Sequence, residues 1–296
     1  MKSRSENNGL HIFDRVNGLH ILMDEYSFPK EIISIAPRTL SIALTNRCNL
    51  NCHYCYAPKS DHSLPIDFVK EIAAIFDKLG TLELTFGGGE PFMYHDITDL
   101  VQWLWANTKL GINITTNGHL LDAYTVEKIK GNISSLRFSI DGLEPKYKAV
   151  KKKSLDSLVE KIQIISGIIP FGINIIINEK STSDVIDVIE LAIKLGAIDV
   201  LLIPEHKNGV FLLQNQDWKE ISDIILRYKN KIQINVTYDA STLIDSTYLE
   251  TEIKKEFLFA HISADKKLKL HSYQTEGILI EDKLKLEKYL RNINSN

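Results

Sequence analysis

Apolar residues along the middle of the chain fall into two alternating patterns. Short, nearly continuous apolar runs rich in β-branched residues predict buried strands. Each run is followed by a longer segment with apolar residues every three or four positions, which predicts an amphipathic helix. The predicted strands span residues 39–45, 82–86, 112–116, 136–140, 173–177 and 200–203.

The predicted helices lie between these strands and have recognisable ends. The first opens near Pro65 and ends at Gly80, as helix-end preferences suggest. The others are predicted around 97–105 and at 123–130, 155–169 and 185–195. Six strand–helix units with apolar strands predict a parallel sheet with right-handed crossovers. We therefore predict an α/β fold, a partial (β/α)6 TIM barrel over residues 38–205.

The two ends of the chain do not follow this alternation. Residues 1–8 are polar and predict a disordered leader, and the Asn17-Gly18 pair between apolar runs predicts a β-hairpin. We assign residues 1–37 to this N-terminal extension. After residue 205 a helix is predicted at 218–228 and another at 247–256, with short strands at 232–236, 257–263, 268–271 and 278–280. These elements predict a small C-terminal α+β cap over residues 206–296.

Composition limits the partners of the protein. The 296 residues carry a net charge of −3 and show no strong basic stripe, so no nucleic-acid partner is expected. The run Lys151-Lys152-Lys153 is interpreted as a solvated loop face. The sequence contains no signal-peptide segment and no apolar run that could span a bilayer, so no membrane partner is expected. The three clustered cysteines favour a reducing compartment, and the cytoplasm is the expected location.

Every cysteine of the chain lies in one short stretch. Cys48, Cys52 and Cys55 have the spacing C-x3-C-x2-C. Three thiolates this close can converge on one soft metal centre. The options are a [4Fe–4S] cluster with one open iron, or a Cys3His zinc site completed by His53 or His62. Three unrelated core thiols are the remaining interpretation.

Polar and glycine-rich segments follow the predicted strands. Gly87-Gly88-Gly89-Glu90-Pro91 follows the second strand, where glycines allow a backbone to approach a ligand closely and Glu90 could hold a charged amino group. Later strands are followed by Thr116-Asn117, Ser139 to Asp141, Asn178 and Glu205. Because parallel barrels bind ligands at the carboxyl ends of their strands, a site is predicted at this rim.

The cysteine spacing, the aromatic Tyr54 before the last cysteine and the Gly-Gly-Glu-Pro motif together resemble the radical S-adenosylmethionine (radical SAM) superfamily. The resemblance covers about residues 38–205. It implies one [4Fe–4S] cluster on Cys48, Cys52 and Cys55, with S-adenosylmethionine (SAM) at the open iron. An electron from the cluster would cleave SAM to a 5′-deoxyadenosyl radical, which would abstract hydrogen from a small-molecule or peptide substrate. A reductant such as flavodoxin or ferredoxin would supply that electron.

The same resemblance implies roles for individual residues. Tyr54 would lie beside the adenine. Gly88, Gly89, Glu90 and Pro91 would hold the methionine amino group. Thr116, Asn117, Ser139 and Asp141 would contact the methionine carboxylate and the ribose, although turn and cap chemistry is the alternative for each of them. No catalytic residue is assigned to the substrate step; Tyr238, Tyr248 and Tyr273 are positional candidates for a donor.

The C-terminal segment 260–273 resembles the strand-turn-strand that carries auxiliary clusters in the molybdenum-cofactor GTP cyclase and in SPASM or twitch enzymes. His261 and His271 stand near the positions where cysteine is expected, so we predict a similar fold without a second cluster. Three alternative functions remain open. They are a nucleotide-modifying viperin-like or cyclase-like enzyme, a non-catalytic iron–sulfur or SAM-binding sensor or partner protein, and a zinc-stabilised α/β protein.

Overall fold

A computed structural model describes residues 1–178, 182–207, 210–237, 240 and 258–295. The chain begins with a three-stranded antiparallel sheet of β1 (Lys2–Glu6), β2 (Gly9–Asp14) and β3 (Leu19–Met23). The predicted hairpin, β2 with β3, is confirmed. A short 3-10 turn at Lys30–Ile32 leads towards the barrel.

The prediction that residues 1–8 are disordered is wrong, because β1 pairs with β2 along its whole length. Its alternate side chains Lys2, Arg4 and Glu6 are buried. They are charged, so the segment resembles a disordered leader in sequence. Each is compensated in the fold: Lys2 Nζ lies 2.6 Å from Asp77 Oδ1, and Arg4 Nε lies 2.8 Å from Glu6 Oε1.

Six parallel strands form the centre of the fold. They are β4 (Thr39–Thr45), β5 (Glu83–Gly88), β6 (Gly111–Thr116), β7 (Ser135–Ser139), β8 (Phe171–Ile177) and β9 (Asp199–Pro204). They are hydrogen-bonded in sequential order, and every neighbouring pair is parallel. All six predicted strands are therefore present, and the predicted α/β architecture of strand–helix units is confirmed.

Helices connect these strands. They are α1 (Ile66–Leu79), α2 (Ile97–Asn107), α3 (Ala123–Ile129), α4 (Lys146–Lys151), α5 (Leu155–Ile165) and α6 (Thr182–Leu195), with a 3-10 turn at Pro91–Met93. The α4 helix was not predicted, since six residues are too few to show a helical period. The α5 helix ends four residues earlier than predicted, and Gly167 follows it with a φ of 81°.

The C-terminal part of the chain extends the barrel sheet at both edges. It contains β10 (His206–Lys207), β11 (Val210–Phe211), α7 (Asn215–Tyr228), β12 (Gln233–Val236), β13 (Phe259–Ile262), β14 (Lys267–Lys269), β15 (Ile278–Leu279) and α8 (Lys283–Ser295). Strand β12 pairs with β9, and β13 pairs with β4, both in parallel. Among the described strands the ladder does not close, and β12 and β15 are its two edges. The predicted helix at 247–256 lies outside the described residues.

The two faces of the barrel strands differ in chemistry. One face packs its apolar side chains, such as Phe86, Ile114 and Phe138, into a continuous core with the helices. The other face carries polar residues that bind one another. Asn113 Nδ2 donates to Glu83 Oε1 over 2.9 Å. The core therefore sits between sheet and helices.

The N-terminal sheet packs at the amino ends of the barrel strands. Gly111, the first residue of β6, contacts the ring of Phe13, and a Cβ there would lie 2.6 Å from that ring. His20 Nε2 lies 3.4 Å from Glu83 Oε2, at the first residue of β5. The sheet is thus at the end of the barrel opposite the predicted rim. In the described part of the chain, no helix combines the length and apolarity needed to cross a bilayer.

Candidate functional site

The cysteine loop follows β4 and is held by the glycine run at the carboxyl end of β5. The amide of Gly89 donates to the carbonyl oxygen of Thr45 over 2.7 Å, and the amide of Glu90 donates to that of Arg47 over 2.8 Å. A Cβ on Gly89 would lie 2.0 Å from the Arg47 carbonyl oxygen. Gly88 has a φ of 114°, and a Cβ there would lie 2.4 Å from the Thr45 carbonyl oxygen. Both glycines are required for contact between the two loops.

Gly87 differs from its two neighbours. A Cβ at Gly87 would meet no heavy atom within 4 Å. The backbone at this position therefore borders open space at the carboxyl end of β5. Within the glycine run, Gly87 is the position where a ligand could approach the backbone, whereas Gly88 and Gly89 contact the cysteine loop.

The three thiols are free and half-buried. The amide of Leu50 donates to Cys48 Sγ over 3.4 Å. Burial raises the pKa of the Cys48 thiol, and this hydrogen bond opposes the effect. Three soft thiol ligands in one loop, with no other cysteine among the 296 residues, fit a [4Fe–4S] cluster that keeps one iron open.

The zinc alternative required a histidine beside these thiols. Among the described residues, no group of three His, Cys, Asp or Glu side chains is gathered to hold a metal ion, and this includes the three thiols, so the finding does not by itself separate a zinc site from a cluster. His62 Nδ1 lies 3.0 Å from Ser60 Oγ, and His53 packs edge-on against Tyr54 with ring centroids 5.2 Å apart. Neither histidine forms a Cys3His arrangement in the described part of the chain.

Glu90 joins two of the predicted rim residues. Its side chain is buried, and its Oε1 accepts hydrogen bonds from Thr116 Oγ1 over 2.6 Å and from the Phe92 amide over 3.2 Å. Its Oε2 accepts from the Asn117 amide over 2.8 Å. Burial raises the pKa of Glu90, while these three donors stabilise the carboxylate and oppose that shift. Pro91, the next predicted residue, opens the 3-10 turn that Glu90 caps.

Asn49, which was not predicted as a site residue, connects the hydrogen-bonded group around Glu90 to the cysteine loop. Asn117 Nδ2 donates to Asn49 Oδ1 over 2.8 Å. Asn49 lies between the first two cysteines, where an asparagine gives no signal beyond a turn preference. This contact ties the first half of the cysteine loop to the carboxyl end of β6.

A second group joins Tyr54, Asp141 and Lys151. Asp141 Oδ2 accepts from the Tyr54 hydroxyl and from Lys151 Nζ, the latter over 2.7 Å, and Asp141 Oδ1 accepts from the Ile176 amide over 3.0 Å. Lys151 Nζ also donates to Tyr54 Oη over 2.8 Å. Burial, followed by the Asp141 charge, raises the pKa of Tyr54, so its hydroxyl stays protonated and can donate.

The interpretation of the lysine run as a solvated face is wrong for Lys151. This side chain is 4% exposed, whereas Lys152 and Lys153 are exposed. Lys151 is the last residue of α4, and the chain turns at Lys152 with a φ of 56°. Burial of its ammonium is possible because Asp141 supplies the opposite charge.

Other rim residues stand outside these two groups. Ser139 is half-buried at the end of β7 and takes no part in either set of hydrogen bonds. Asn178 Nδ2 donates to Glu205 Oε2 over 2.7 Å, which links the ends of two neighbouring strands. His119 Nε2 lies 2.9 Å from Tyr147 Oη, a pair that was not predicted. Burial, with the nearby lysine charges, lowers the pKa of His119 to about 4, so the imidazole is neutral at pH 7.

The two C-terminal histidines have different surroundings. His261 is 2% exposed, its Nδ1 lies 3.1 Å from Ser41 Oγ, and burial lowers its pKa to about 3. His271 stacks on Tyr273, which stacks on His206, with ring centroids 5.1 Å and 4.3 Å apart. Of the tyrosines considered as donors, Tyr273 lies in this stack, and Tyr238 and Tyr248 lie outside the described residues.

Comparison with known sequences points to one superfamily. The family model described as the radical SAM superfamily matches residues 42–227. A protein of Methanocaldococcus jannaschii, MJ0907, is 31% identical over 205 residues, which are 64% of this chain and 71% of that protein. A probable GTP 3′,8-cyclase of Saccharolobus islandicus is 27% identical over 262 residues, which are 81% of this chain and 84% of that protein.

Comparison with solved structures shows proteins of similar fold. Streptococcus suis SuiB bound to S-adenosylmethionine superimposes with a TM-score of 0.77 at 17% identity, over 99% of this chain and 89% of that chain. SuiB bound to the precursor peptide SuiA gives a TM-score of 0.75 at 16% identity, over 100% and 89% of the two chains. The anSMEcpe enzyme with bound AdoMet and a peptide gives 0.60 at 15% identity, over 84% and 79%.

These likenesses support the fold, and the family match covers the cysteine loop, the glycine run and the six barrel strands apart from the first three residues of β4. The chain belongs to the radical SAM superfamily of enzymes.

Proposed function

We propose that this protein binds one [4Fe–4S] cluster through Cys48, Cys52 and Cys55 and holds SAM beside it at the rim of the barrel. The bound cluster would supply the electron for reductive cleavage of SAM, and hydrogen abstraction from the substrate by the 5′-deoxyadenosyl radical would follow. The observation that carries the proposal is the contact between the cysteine loop and the glycine run. It holds Arg47, the residue before Cys48, against the glycine run in which Gly87 borders open space.

Glu90 and its donors are proposed to shape the SAM site. Thr116, the Asn117 amide and the Phe92 amide together place the carboxylate in one orientation. A carboxylate has about four acceptor positions, so three donors leave capacity for one more, such as an ammonium group. The buried carboxylate gains from a cationic partner, since burial alone disfavours its charge.

Asp141 is proposed to act mainly by holding Tyr54 in place. Its Oδ2 already accepts from two donors and its Oδ1 from one. As at Glu90, three donors leave about one acceptor position, here on Oδ1, which a ribose hydroxyl could use. The aromatic face of Tyr54 then remains as the surface proposed to lie against the adenine.

For the substrate we propose a peptide, with a small molecule as the broader class. The support is the likeness over the full chain to SuiB, which was solved with a precursor peptide, and the likeness to anSMEcpe with a peptide. The N-terminal sheet packs at the amino ends of β5 and β6, so peptide recognition is assigned instead to the rim and the C-terminal segment.

A nucleotide is the second candidate, and the relatives named probable GTP 3′,8-cyclase favour it. The cysteine count opposes cyclase chemistry that depends on a second cluster, because these 296 residues contain no cysteine beyond the three in the loop. Incubation with GTP and with candidate precursor peptides would distinguish the two substrate classes.

The first experiment is anaerobic reconstitution with iron and sulfide, followed by dithionite reduction with SAM and measurement of 5′-deoxyadenosine. The proposal expects about four irons per chain and formation of 5′-deoxyadenosine. Four irons without 5′-deoxyadenosine, both alone and with the peptide and GTP probes, would favour a sensor instead. Stoichiometric zinc with no iron uptake would overturn the proposal.

A further inference from the structure

The cysteine loop has two halves with different attachments to the barrel. The first half, up to Leu50, is held by the Gly89 and Glu90 amides and by the Asn49–Asn117 hydrogen bond. The second half carries Cys52 and Cys55, with His53 and Tyr54 between them. Tyr54 connects this half to the barrel through hydrogen bonds to Asp141 and Lys151.

Lys151 is the most unusual member of this group. A lysine that is 4% exposed loses most of its hydration, so its burial is unfavourable unless a partner compensates it. Its ammonium is compensated by Asp141 at 2.7 Å, and it makes a second hydrogen bond to Tyr54 Oη at 2.8 Å. It also lies 5.4 Å from the centroid of the Tyr54 ring. One side chain from α4 thus contacts both the polar end and the ring of Tyr54.

The neighbours of Lys151 do not share this role. Lys152 and Lys153 are exposed, and no hydrogen bond of theirs reaches the cysteine loop in the described part of the chain. Asp141 is anchored separately by the Ile176 amide, so the carboxylate is a fixed point on the barrel. Lys151 and Asp141 together confine the Tyr54 hydroxyl from two directions.

We propose that Lys151 is a positioning residue that acts through Tyr54 to hold Cys52 and Cys55 in place for metal binding. The link to a cluster rests on the proposed function. The positioning of the loop does not, because it can be measured in the metal-free protein. In this proposal Lys151 is not a metal ligand and takes no part in the chemical steps.

The test compares Lys151→Met with the control Lys152→Met, which removes an exposed charge one residue away. Metal-free protein is treated briefly with iodoacetamide, and mass-spectrometric fragmentation of the tryptic peptide 48–59 reports the labelling of each cysteine. We expect Lys151→Met to speed labelling of Cys52 and Cys55 roughly tenfold through local opening. Cys48 should change less than about twofold, since its half of the loop keeps its own hydrogen bonds.

A second variant separates positioning from general damage. Tyr54→Phe removes the hydroxyl and leaves the Lys151–Asp141 ion pair in place. It should speed labelling of the same two cysteines, and adding Lys151→Met to it should give little further increase, because both changes break one connection. Iron uptake and the apparent SAM affinity of the reconstituted variants should fall roughly 10- to 100-fold.

Equal acceleration at all three cysteines would show general destabilisation and overturn the proposal. So would identical labelling in Lys151→Met and Lys152→Met, or fully additive effects of Tyr54→Phe and Lys151→Met. Failure of the unsubstituted protein to take up iron would overturn the proposed function instead, while the labelling pattern of the metal-free variants would still decide the role of Lys151.

Discussion

The backbone amide of Glu90 donates a hydrogen bond to the carbonyl oxygen of Arg47 over 2.8 Å. This bond joins the residue before Cys48 to the acidic residue of the glycine run. The proposed metal ligands and the proposed SAM contact are therefore joined through the backbone. A substitution that moves this backbone should affect both, whereas a change confined to the Glu90 side chain should affect mainly SAM binding.

The glycine run offers a matched pair of substitutions. Gly89→Ala places a Cβ 2.0 Å from the Arg47 carbonyl oxygen and should destabilise the fold by about 2 kcal/mol or more. Gly87→Ala meets no atom within 4 Å, so its melting temperature should match that of the unsubstituted protein. If SAM occupies the space at Gly87, the same variant should bind SAM more weakly, as measured by anaerobic titration. Equal melting temperatures for both variants would contradict this packing.

The proposed cysteine ligands are tested by Cys52→Ala, with His53→Ala as the control. Cys52→Ala should lose most of the iron taken up on reconstitution, yet keep the circular dichroism spectrum of an α/β fold, because Cys52 is only half-buried and is not part of the apolar core. His53→Ala should keep its iron, since His53 is exposed and lies outside the three-thiol set. Normal iron content in Cys52→Ala would refute the cluster assignment.

Glu90 should matter more for SAM than for the cluster. Glu90→Ala removes the acceptor of three hydrogen bonds and leaves the three thiols unchanged. We expect SAM affinity to fall roughly tenfold or more while iron content stays near normal. Glu127→Ala, an exposed glutamate on α3, is the control. Equal losses of iron and SAM binding would indicate general damage to the rim.

Stability at acidic pH should depend on Glu6. Burial raises the pKa of Glu6, but hydrogen bonds from Arg38 and His11 and the charges of Arg4 and Arg38 outweigh it and lower the pKa to about 2. Because its pKa is lower in the folded protein than in the unfolded chain, ionised Glu6 stabilises the fold at pH values above the unfolded pKa of 4.5. That contribution is lost as the pH falls from about 4.5 to about 2, and it is worth about 3 kcal/mol.

Glu6→Gln should therefore lower the unfolding free energy at pH 7 and flatten its decrease between pH 4.5 and pH 2. Urea denaturation followed by circular dichroism over this pH range would measure both effects. Glu25→Gln, at an exposed position in the same N-terminal region, should leave the curve unchanged. If the unfolding free energy fell with the same slope between pH 4.5 and pH 2 in Glu6→Gln and in the unsubstituted protein, the stabilising role of Glu6 would be contradicted.

Much of the fold was predictable because its information is local. The predicted strand 39–45 coincides with β4, and the other five barrel strands were found within two residues at each end. The polar strand β1 was missed, because its buried charges Lys2, Arg4 and Glu6 find their partners only in the folded protein. Helix α4 was missed because it is too short to show a period.

The site was partly predictable for a related reason. The cysteine spacing and the Gly-Gly-Glu-Pro motif each lie within a few residues, so the candidate ligand set and the candidate rim could be proposed from the sequence. Lys151 could not be placed, since its partner Tyr54 lies 97 residues away in the chain. Asn49 was missed for the same reason, because it meets Asn117 across 68 residues.

The sequence by itself determined the alternation of strands and helices, the three thiols and the superfamily, since these depend on periodicity and on motifs within a few residues. Only the tertiary structure decided which glycine borders open space, which lysine is buried and which polar side chains meet at the rim. Those outcomes depend on strand register and on how the connecting helices turn the chain back. Neighbouring residues such as Lys151 and Lys152 can therefore have opposite surroundings.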